Sequence, residues 1–103
     1  MAGARGLVNK KRLAALHDMP CCVCHKFGMV QTSPTTAHHV ICGRFSQKKA
    51  SDDETIPLCD DHHQGMWGND PAKLAIHKGK ESWVSEYGED TDYLVWTNQR
   101  LGC

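Results

Sequence analysis

Cysteines and histidines at metal-ligand spacings constrain the fold of this chain more than any other feature. Cys21 and Cys24 are separated by two residues, Cys59 precedes His62 by three positions, and adjacent histidines occur at 38–39 and 62–63. Thiolate sulfur and imidazole nitrogen are the usual ligands of structural Zn²⁺. The spacing predicts a structural zinc site of Cys21, Cys24, Cys59 and His62, and leaves the remaining histidines of the two pairs for a second metal site.

The cysteine-rich segment at 20–28 allows a second register. Cys22 and His25 have the same spacing as Cys21 and Cys24, but one ion cannot use both pairs. Because thiolates are preferred at structural zinc sites, we favour Cys21 and Cys24, on a zinc-knuckle turn. Cys42 is close enough in sequence to the first histidine pair to be a spare ligand.

The length of 103 residues allows one domain, predicted at 9–103 after a flexible leader at 1–8. A domain of this size buries roughly two-thirds of the surface of its unfolded chain, so its core is modest. No apolar run approaches the ~20 residues of a membrane span, and the first residues lack a secretory signal. We therefore expect a cytoplasmic protein whose six cysteines bind metal or stay reduced.

Short elements of both kinds predict a small α+β fold. Asn9 is a plausible N-cap for a helix that ends near His17, because Pro20 disfavours helix just before it. Strands are expected at 36–41 and 55–58, a long loop at 43–54, and a helix from Cys59 or Asp60. Further helices are expected at 81–87, with Gly88 as a left-handed C-cap, and after Thr91 as N-cap. We expect the three tryptophans to be core residues rather than base-stacking platforms.

Charge is unevenly distributed although the net charge is zero. Residues 1–50 hold eight Lys or Arg and one acid, whereas residues 51–103 hold four and eleven. This asymmetry fits either two solvated faces of one domain or a basic patch that contacts phosphate. The candidate nucleic-acid contacts are Arg5, Lys10, Lys11, Arg12, Arg44, Lys48 and Lys49.

The order of these motifs resembles the HNH endonuclease superfamily, in which two strands and a helix surround one metal ion. More narrowly, the chain resembles the phage Ref recombination-enhancement nucleases and related prophage HNH proteins. That resemblance rests on IPLC at 56–59, HHQG at 62–65, AIHK at 75–78 and WVSEYG at 83–88. It implies a zinc-stabilised, treble-clef-like ββα-metal core with flanking helices, in a phage- or prophage-encoded protein of the bacterial cytoplasm.

The resemblance also implies roles for individual residues. His39 would be the general base, with His38 and His63 as catalytic-metal ligands; since side chains alternate along a strand, His38 and His39 face opposite sides, but their roles could be exchanged. Many HNH helices carry another ligand where this chain has Trp67, and His77 is the nearest replacement. The middle polar residue of the motif falls among three acids at 52–54, of which we favour Asp53.

Three functions are compatible with these residues. The first is a DNA endonuclease with structural Zn²⁺ and a catalytic Mg²⁺, Mn²⁺, Ni²⁺ or Zn²⁺, acting on DNA in recombination or processing beside a recombinase or related proteins. The second is a non-catalytic zinc module that binds nucleic acid or protein, which leaves His38, His39 and His63 unexplained. The third is a redox or metal-handling protein, which does not require Cys59 and His62.

Overall fold

A two-stranded antiparallel sheet lies at the centre of the structure, a computed structural model that describes residues 9–42, 51–67 and 70–102. Strand β1 is Thr35–His39 and strand β2 is Thr55–Cys59, with Thr35 opposite Cys59 and His39 opposite Thr55. The predicted strands are confirmed to within two residues at each end. The leader at 1–8 and three predicted basic contacts, Arg44, Lys48 and Lys49, lie outside the described residues, as does most of the predicted loop at 43–54.

Five α-helices accompany the sheet in the described part of the chain, which makes the fold small α+β as predicted. They are α1 Lys10–His17, α2 Cys22–Phe27, α3 Asp60–His63, α4 Lys80–Tyr87 and α5 Leu94–Leu101, and a 3₁₀ turn, Asp90–Tyr93, leads into α5. None of these helices is long and apolar enough to cross a bilayer.

Helix α1 begins and ends as the sequence predicts, and it is attached to the sheet by a buried arginine. The Asn9 side chain accepts a hydrogen bond from the Arg12 backbone N–H at 3.0 Å and caps the helix. The Arg12 guanidinium donates to Thr55 Oγ1 at 2.8 Å, to the Thr55 carbonyl at 2.7 Å and to Asn98 Oδ1 at 2.8 Å. The charged group of Arg12 thus joins α1, β2 and α5, and its predicted contact with phosphate stays a prediction.

The cysteine-rich segment is a helix rather than the predicted knuckle turn. Cys21 is the N-cap of α2, and its sulfur accepts a hydrogen bond from the Cys24 backbone N–H. Gly28 ends the helix in the left-handed region, at φ 66° and ψ 31°, and its N–H bonds back to helix carbonyls. A cysteine N-cap followed three residues later by a second cysteine places both sulfurs on one side of the helix start.

The C-terminal caps differ from the prediction. Gly88 has a positive φ of 91°, but its ψ of 175° is extended, so it is not a left-handed helical cap. Thr91 lies inside the 3₁₀ turn, which begins at Glu89 through a reciprocal capping box with Asp92. The acid pair satisfies two backbone N–H groups, whereas the Thr91 side chain could satisfy one.

Trp83 fills the centre of the small core. It is completely buried, its ring lies against Tyr87 and Tyr93 at centroid distances of 5.3 and 6.2 Å, and its Nε1–H donates to the His62 carbonyl at 3.1 Å. Trp96 is partly buried against the same core. Trp67 is 65% exposed, so the expectation that all three tryptophans lie in the core is wrong for this residue.

Candidate functional site

Three thiols and one imidazole meet at the junction of β2, α2 and α3. Cys59 ends β2 and caps α3, which carries His62 one turn later, while Cys21 and Cys24 come from the start of α2. His62 Nδ1 lies 3.5 Å from Cys21 Sγ, 3.6 Å from Cys24 Sγ and 3.3 Å from Cys59 Sγ. Cys24 Sγ lies 3.9 Å from Cys59 Sγ. All four side chains are buried.

These separations fit the edges of one coordination tetrahedron. With Zn–S about 2.3 Å and Zn–N about 2.0 to 2.1 Å, a regular tetrahedron has S···N edges of about 3.6 Å and S···S edges of about 3.8 Å. The four residues can therefore hold a metal ion without rearrangement. The alternative register is excluded by position, because Cys22 is buried outside this group and His25 is exposed, with Nε2 3.1 Å from an Arg100 nitrogen.

Negative charge in this cluster concentrates on Cys59. Hydrogen bonds from the Cys21 and Cys24 side chains lower the pKa of Cys59 and outweigh the opposing effect of burial. The reciprocal interactions with Cys21 and Cys59 raise the pKa of Cys24. The cluster thus favours the thiolate form of Cys59. A cation requires this protonation state of a cysteine ligand.

Three histidines, His38, His63 and His77, form a second group next to the first one. His38 comes from β1, His63 from the end of α3 and His77 from the segment before α4. Their ring centroids are 4.9 to 5.3 Å apart, and one nitrogen from each lies within 4.8 Å of the others. His38 and His63 are buried and His77 is exposed, so one side of this group is open to solvent.

Asp90 fixes the orientation and the tautomer of His38. His38 Nε2 lies 2.8 Å from Asp90 Oδ2, and the same carboxylate accepts hydrogen bonds from the backbone N–H groups of Ile41 and Cys42 at 2.7 and 3.1 Å. Burial opposes ionisation of Asp90, but these hydrogen bonds outweigh it and lower its pKa to about 2. Because an ionised carboxylate only accepts, Nε2 carries the hydrogen and the lone pair is on Nδ1. Nδ1 is buried with no hydrogen-bond partner.

Thr36 fixes the tautomer of His63 in the same way. The Thr36 hydroxyl donates its one hydrogen to the Leu58 carbonyl at 2.8 Å, so it accepts from His63 Nδ1 at 2.7 Å and leaves the lone pair on Nε2. Burial, followed by the charges of His38, His77 and His39, lowers the pKa of His63 to about 3. Burial and His38 lower the pKa of His77. Neutral imidazoles with free lone pairs are what a divalent cation requires.

His39, the neighbour of His38 on β1, contacts a carboxylate of its own. His39 is not one of the clustered ligands; its Nε2 lies 2.8 Å from Asp52 Oδ1, and its side chain is 28% exposed. The other oxygen of Asp52 accepts the Asn9 backbone N–H at 2.8 Å. Asp53, favoured from the sequence, is exposed and accepts from the Asn9 side chain at 2.7 Å. Among the three neighbouring acids, Asp52 rather than Asp53 contacts the histidine.

Two of the predicted nucleic-acid contacts stand free on α1. Lys10 and Lys11 are exposed on its first turn, whereas Arg12 is used internally. Asp90 and Thr36 were missed by sequence reasoning, because each acts on a histidine 52 or 27 positions away and neither lies in a recognisable motif. Cys42, considered as a spare ligand, is buried and its backbone N–H bonds to Asp90, but its sulfur belongs to neither group.

Comparison with known proteins gives one assignment. The sequence model of a family described as "Recombination enhancement, RecA-dependent nuclease" matches residues 6–102, almost the whole chain. No curated protein and no solved structure matches it significantly.

Proposed function

The chain belongs to the family of recombination-enhancement, RecA-dependent nucleases, and on this premise we propose that it is an HNH-type, metal-dependent DNA endonuclease. The observation that carries the proposal is the open group of His38, His63 and His77, with two lone pairs fixed by Asp90 and Thr36, beside a separate histidine on β1. In this proposal β1, β2 and α3 would be the ββα-metal core, and the adjoining cysteines would form a treble-clef-like zinc site.

The two groups would hold ions with different tasks. Cys21, Cys24, Cys59 and His62 would hold Zn²⁺ as a structural ion, since the distances match its tetrahedron and all four ligands are buried. His38, His63 and His77 would hold the catalytic Mg²⁺, Mn²⁺, Ni²⁺ or Zn²⁺. A cation bound there supplies charge stabilisation for the phosphorane and the leaving oxygen.

His39 would act as the general base in this proposal. The Asp52 carboxylate holds the hydrogen on Nε2, so the lone pair of Nδ1 takes the proton of the attacking water, and Asp52 stabilises the imidazolium that forms. The hydroxide attacks phosphorus, the bond to the leaving oxygen breaks, and solvent protonates that oxygen. His38 is less suited to this role, because its side chain is fully buried, whereas that of His39 is 28% exposed.

The substrate and partner follow from the family and the charge distribution. Lys10 and Lys11, which are exposed, would contact phosphate. The family description names RecA, so the partner would be that recombinase, and the place of action the cytoplasm of a bacterial host carrying the phage or prophage. A non-catalytic zinc module accounts for the cysteine cluster alone and gives no reason for the second histidine group.

Nicking of supercoiled plasmid tests the proposal. Wild type and His63→Ala are incubated with the plasmid and one of Mg²⁺, Mn²⁺, Ni²⁺ or Zn²⁺. Each incubation is repeated with RecA and single-stranded DNA added. We expect cleavage by wild type with at least one cation, loss with His63→Ala, and retention with His25→Ala, an exposed histidine outside both groups. Folded wild type that cleaves nothing under any of these conditions would refute the proposal.

A further inference from the structure

The chain between His63 and His77 forms an excursion that starts and ends at the candidate catalytic group. Two backbone hydrogen bonds close its base: the Ile76 N–H donates to the His62 carbonyl and the His77 N–H to the His63 carbonyl, both at 3.0 Å. The structure describes this excursion at 64–67 and 70–76. A side chain displayed near its start therefore stays close to the three histidines.

Two consecutive acids of α3 hold the backbone of this excursion. The Asp60 carboxylate accepts hydrogen bonds from the backbone N–H groups of Met66 and Trp67 at 3.4 and 3.1 Å. The Asp61 carboxylate accepts the Asp70 N–H at 3.4 Å. Both acids are buried, and through these hydrogen bonds they hold the described parts of the loop.

The turn itself is also specified. Gly65 has a φ of 64°, and a Cβ there would lie 3.0 Å from Ala75 Cβ. The Lys78 ammonium donates to the Gly65 carbonyl at 2.8 Å. Left-handed backbone, close packing and a lysine contact together fix the direction in which the chain leaves this glycine.

This fixed turn displays apolar side chains to solvent. Trp67 is 65% exposed and Met66 is 73% exposed, while Trp83 is completely buried. A small domain has few large apolar residues, and an aromatic side chain contributes most to stability when it is buried. The buried Asp60 carboxylate nevertheless holds the Trp67 backbone outside the core. This arrangement indicates that the exposed Trp67 ring binds a ligand.

We propose that Trp67 is a stacking platform for an unpaired base of the DNA substrate, a contact that rests on the proposed nuclease function. Trp67 lies four positions after His63, so the two Cα atoms are at most about 14 Å apart, about four base steps of B-form rise. Stacking on an aromatic ring is a common contact to single strands and tolerates any base.

The surrounding charges favour a base over a phosphate at this position. The acids beside the loop are held by its own backbone, and the two nearby lysines are used internally. Lys73 Nζ contacts the Val30 carbonyl and Thr32 Oγ1, and Lys78 Nζ contacts Gly65. The uncharged Trp67 ring can therefore contact a neutral base, whereas Lys73 and Lys78 are not available to bind a phosphate.

Binding of a fluorescent single-stranded oligothymidine tests the proposal, with full-length Trp67→Ala, Trp67→Phe and Val95→Ala. Val95 is a matched control, being an apolar residue 66% exposed on α5. Affinity is measured without added divalent cation, so that the measurement does not depend on cleavage. Circular dichroism checks that each variant is folded. We expect Trp67→Ala to weaken binding about 5- to 150-fold, Trp67→Phe to retain most of it, and Val95→Ala to match wild type.

The salt dependence sharpens this test. Stacking releases no counterions, so the slope of log affinity against log salt stays the same in Trp67→Ala. Equal affinity of wild type and Trp67→Ala overturns the proposal, as does an equal loss in Val95→Ala. Unchanged binding to naked DNA with loss only of RecA-dependent cleavage assigns Trp67 to the recombinase instead, and concentration-dependent self-association that disappears in Trp67→Ala assigns it to a second copy of this chain.

Failure of this contact is distinguishable from failure of catalysis. If wild type binds through Trp67 but nicks no plasmid, the stacking platform stands and the proposed cleavage is lost. If wild type nicks plasmid while Trp67→Ala binds like wild type, the cleavage stands and the platform is lost.

Discussion

The two ligand groups share one short helix but differ in closure. His62 and His63 are neighbours on α3, yet His62 joins three cysteines in a site where every ligand is buried, and His63 joins two histidines of which His77 is exposed. The cysteine group has four ligands at tetrahedral spacing, whereas the histidine group has three in the described part of the chain. Structural zinc sites are closed and catalytic sites keep a position open, so a difference of one residue along α3 would separate the two proposed tasks.

The supporting contacts differ in the same sense. The cysteines are held mainly by the helix and strand that carry them, so their geometry forms with the fold. His38, His39 and His63 each bond to a separate side chain, Asp90, Asp52 and Thr36 respectively. Replacing one of these partners would therefore change the support of a single histidine, whereas the cysteines cannot be altered separately in this way.

Opening the cysteine group gives the largest expected effect. Cys59→Ala should unfold the domain, because a structural zinc ion contributes on the order of 10 to 16 kcal/mol of apparent binding free energy, against a total domain stability of roughly 5 to 15 kcal/mol. Circular dichroism and zinc analysis of the purified protein measure this. Cys22→Ala is the control, since it removes a buried thiol outside the group and should keep both zinc and fold.

Removing zinc from wild type with a chelator should act like Cys59→Ala. A purified protein that contains no metal and still melts cooperatively would show that the cysteine group does not stabilise the fold.

Removing the proposed base should abolish activity without affecting either ion. His39→Ala is expected to lower cleavage about 10² to 10⁴-fold, the usual contribution of a positioned base, while folding and metal content stay as in wild type. His63→Ala should instead weaken the catalytic ion, so a higher cation concentration partly restores cleavage. A metal titration of the two variants side by side separates these outcomes.

The opposite pattern would reverse the assignment. If added metal rescues His39→Ala but not His63→Ala, His39 is a ligand and His38 becomes the candidate base. His77→Ala should follow His63→Ala, since both belong to the same group.

Removing a supporting contact should have a smaller effect, confined to the histidine group. Asp90→Asn removes the charge that orients His38 and should weaken the catalytic cation about 10- to 100-fold, the usual cost of losing such a partner. Isothermal titration with Mn²⁺ measures this. Zinc content should be unchanged, and Asp18→Asn, an exposed acid on another element, is the control. Equal cation affinity in wild type and Asp90→Asn would remove Asp90 from the site.

Reversing the free charges on α1 should touch neither group. Lys10→Glu with Lys11→Glu should weaken DNA binding modestly and reduce the magnitude of the salt slope by about 0.9 for each lost phosphate contact. Lys26→Glu, on α2, is a matched exposed control. An unchanged slope in the double variant would place the DNA contact elsewhere.

The sequence predicts local features well and long-range ones poorly. Asn9 as a cap, the two strands and the Cys59 to His62 spacing depend on residues a few positions apart, and each was found. The helix at Cys22–Phe27 was missed because a Cys-x2-Cys spacing suits a turn and a helix start equally. The internal contacts of Arg12 were not predicted, because its partners Thr55 and Asn98 lie 43 and 86 positions away.

The supporting residues of the site were hidden for the same reason. Asp90 lies in an acidic segment that suggests capping, and only the folded chain brings it to His38. Among the three acids at 52–54, the choice of Asp52 depends on its contact with both Asn9 and His39, which no spacing rule contains.

The two backbone hydrogen bonds that close the loop after α3 determine how a change in the length of this loop would affect the histidines. Because the Ile76 and His77 amides pair with His62 and His63, the positions of the ligands are set below the loop rather than by its length. Doubling the length of such a loop costs only about 0.6 kcal/mol in closure entropy. A longer loop at this position would therefore leave the His62 and His63 pairing in place at a small cost in stability.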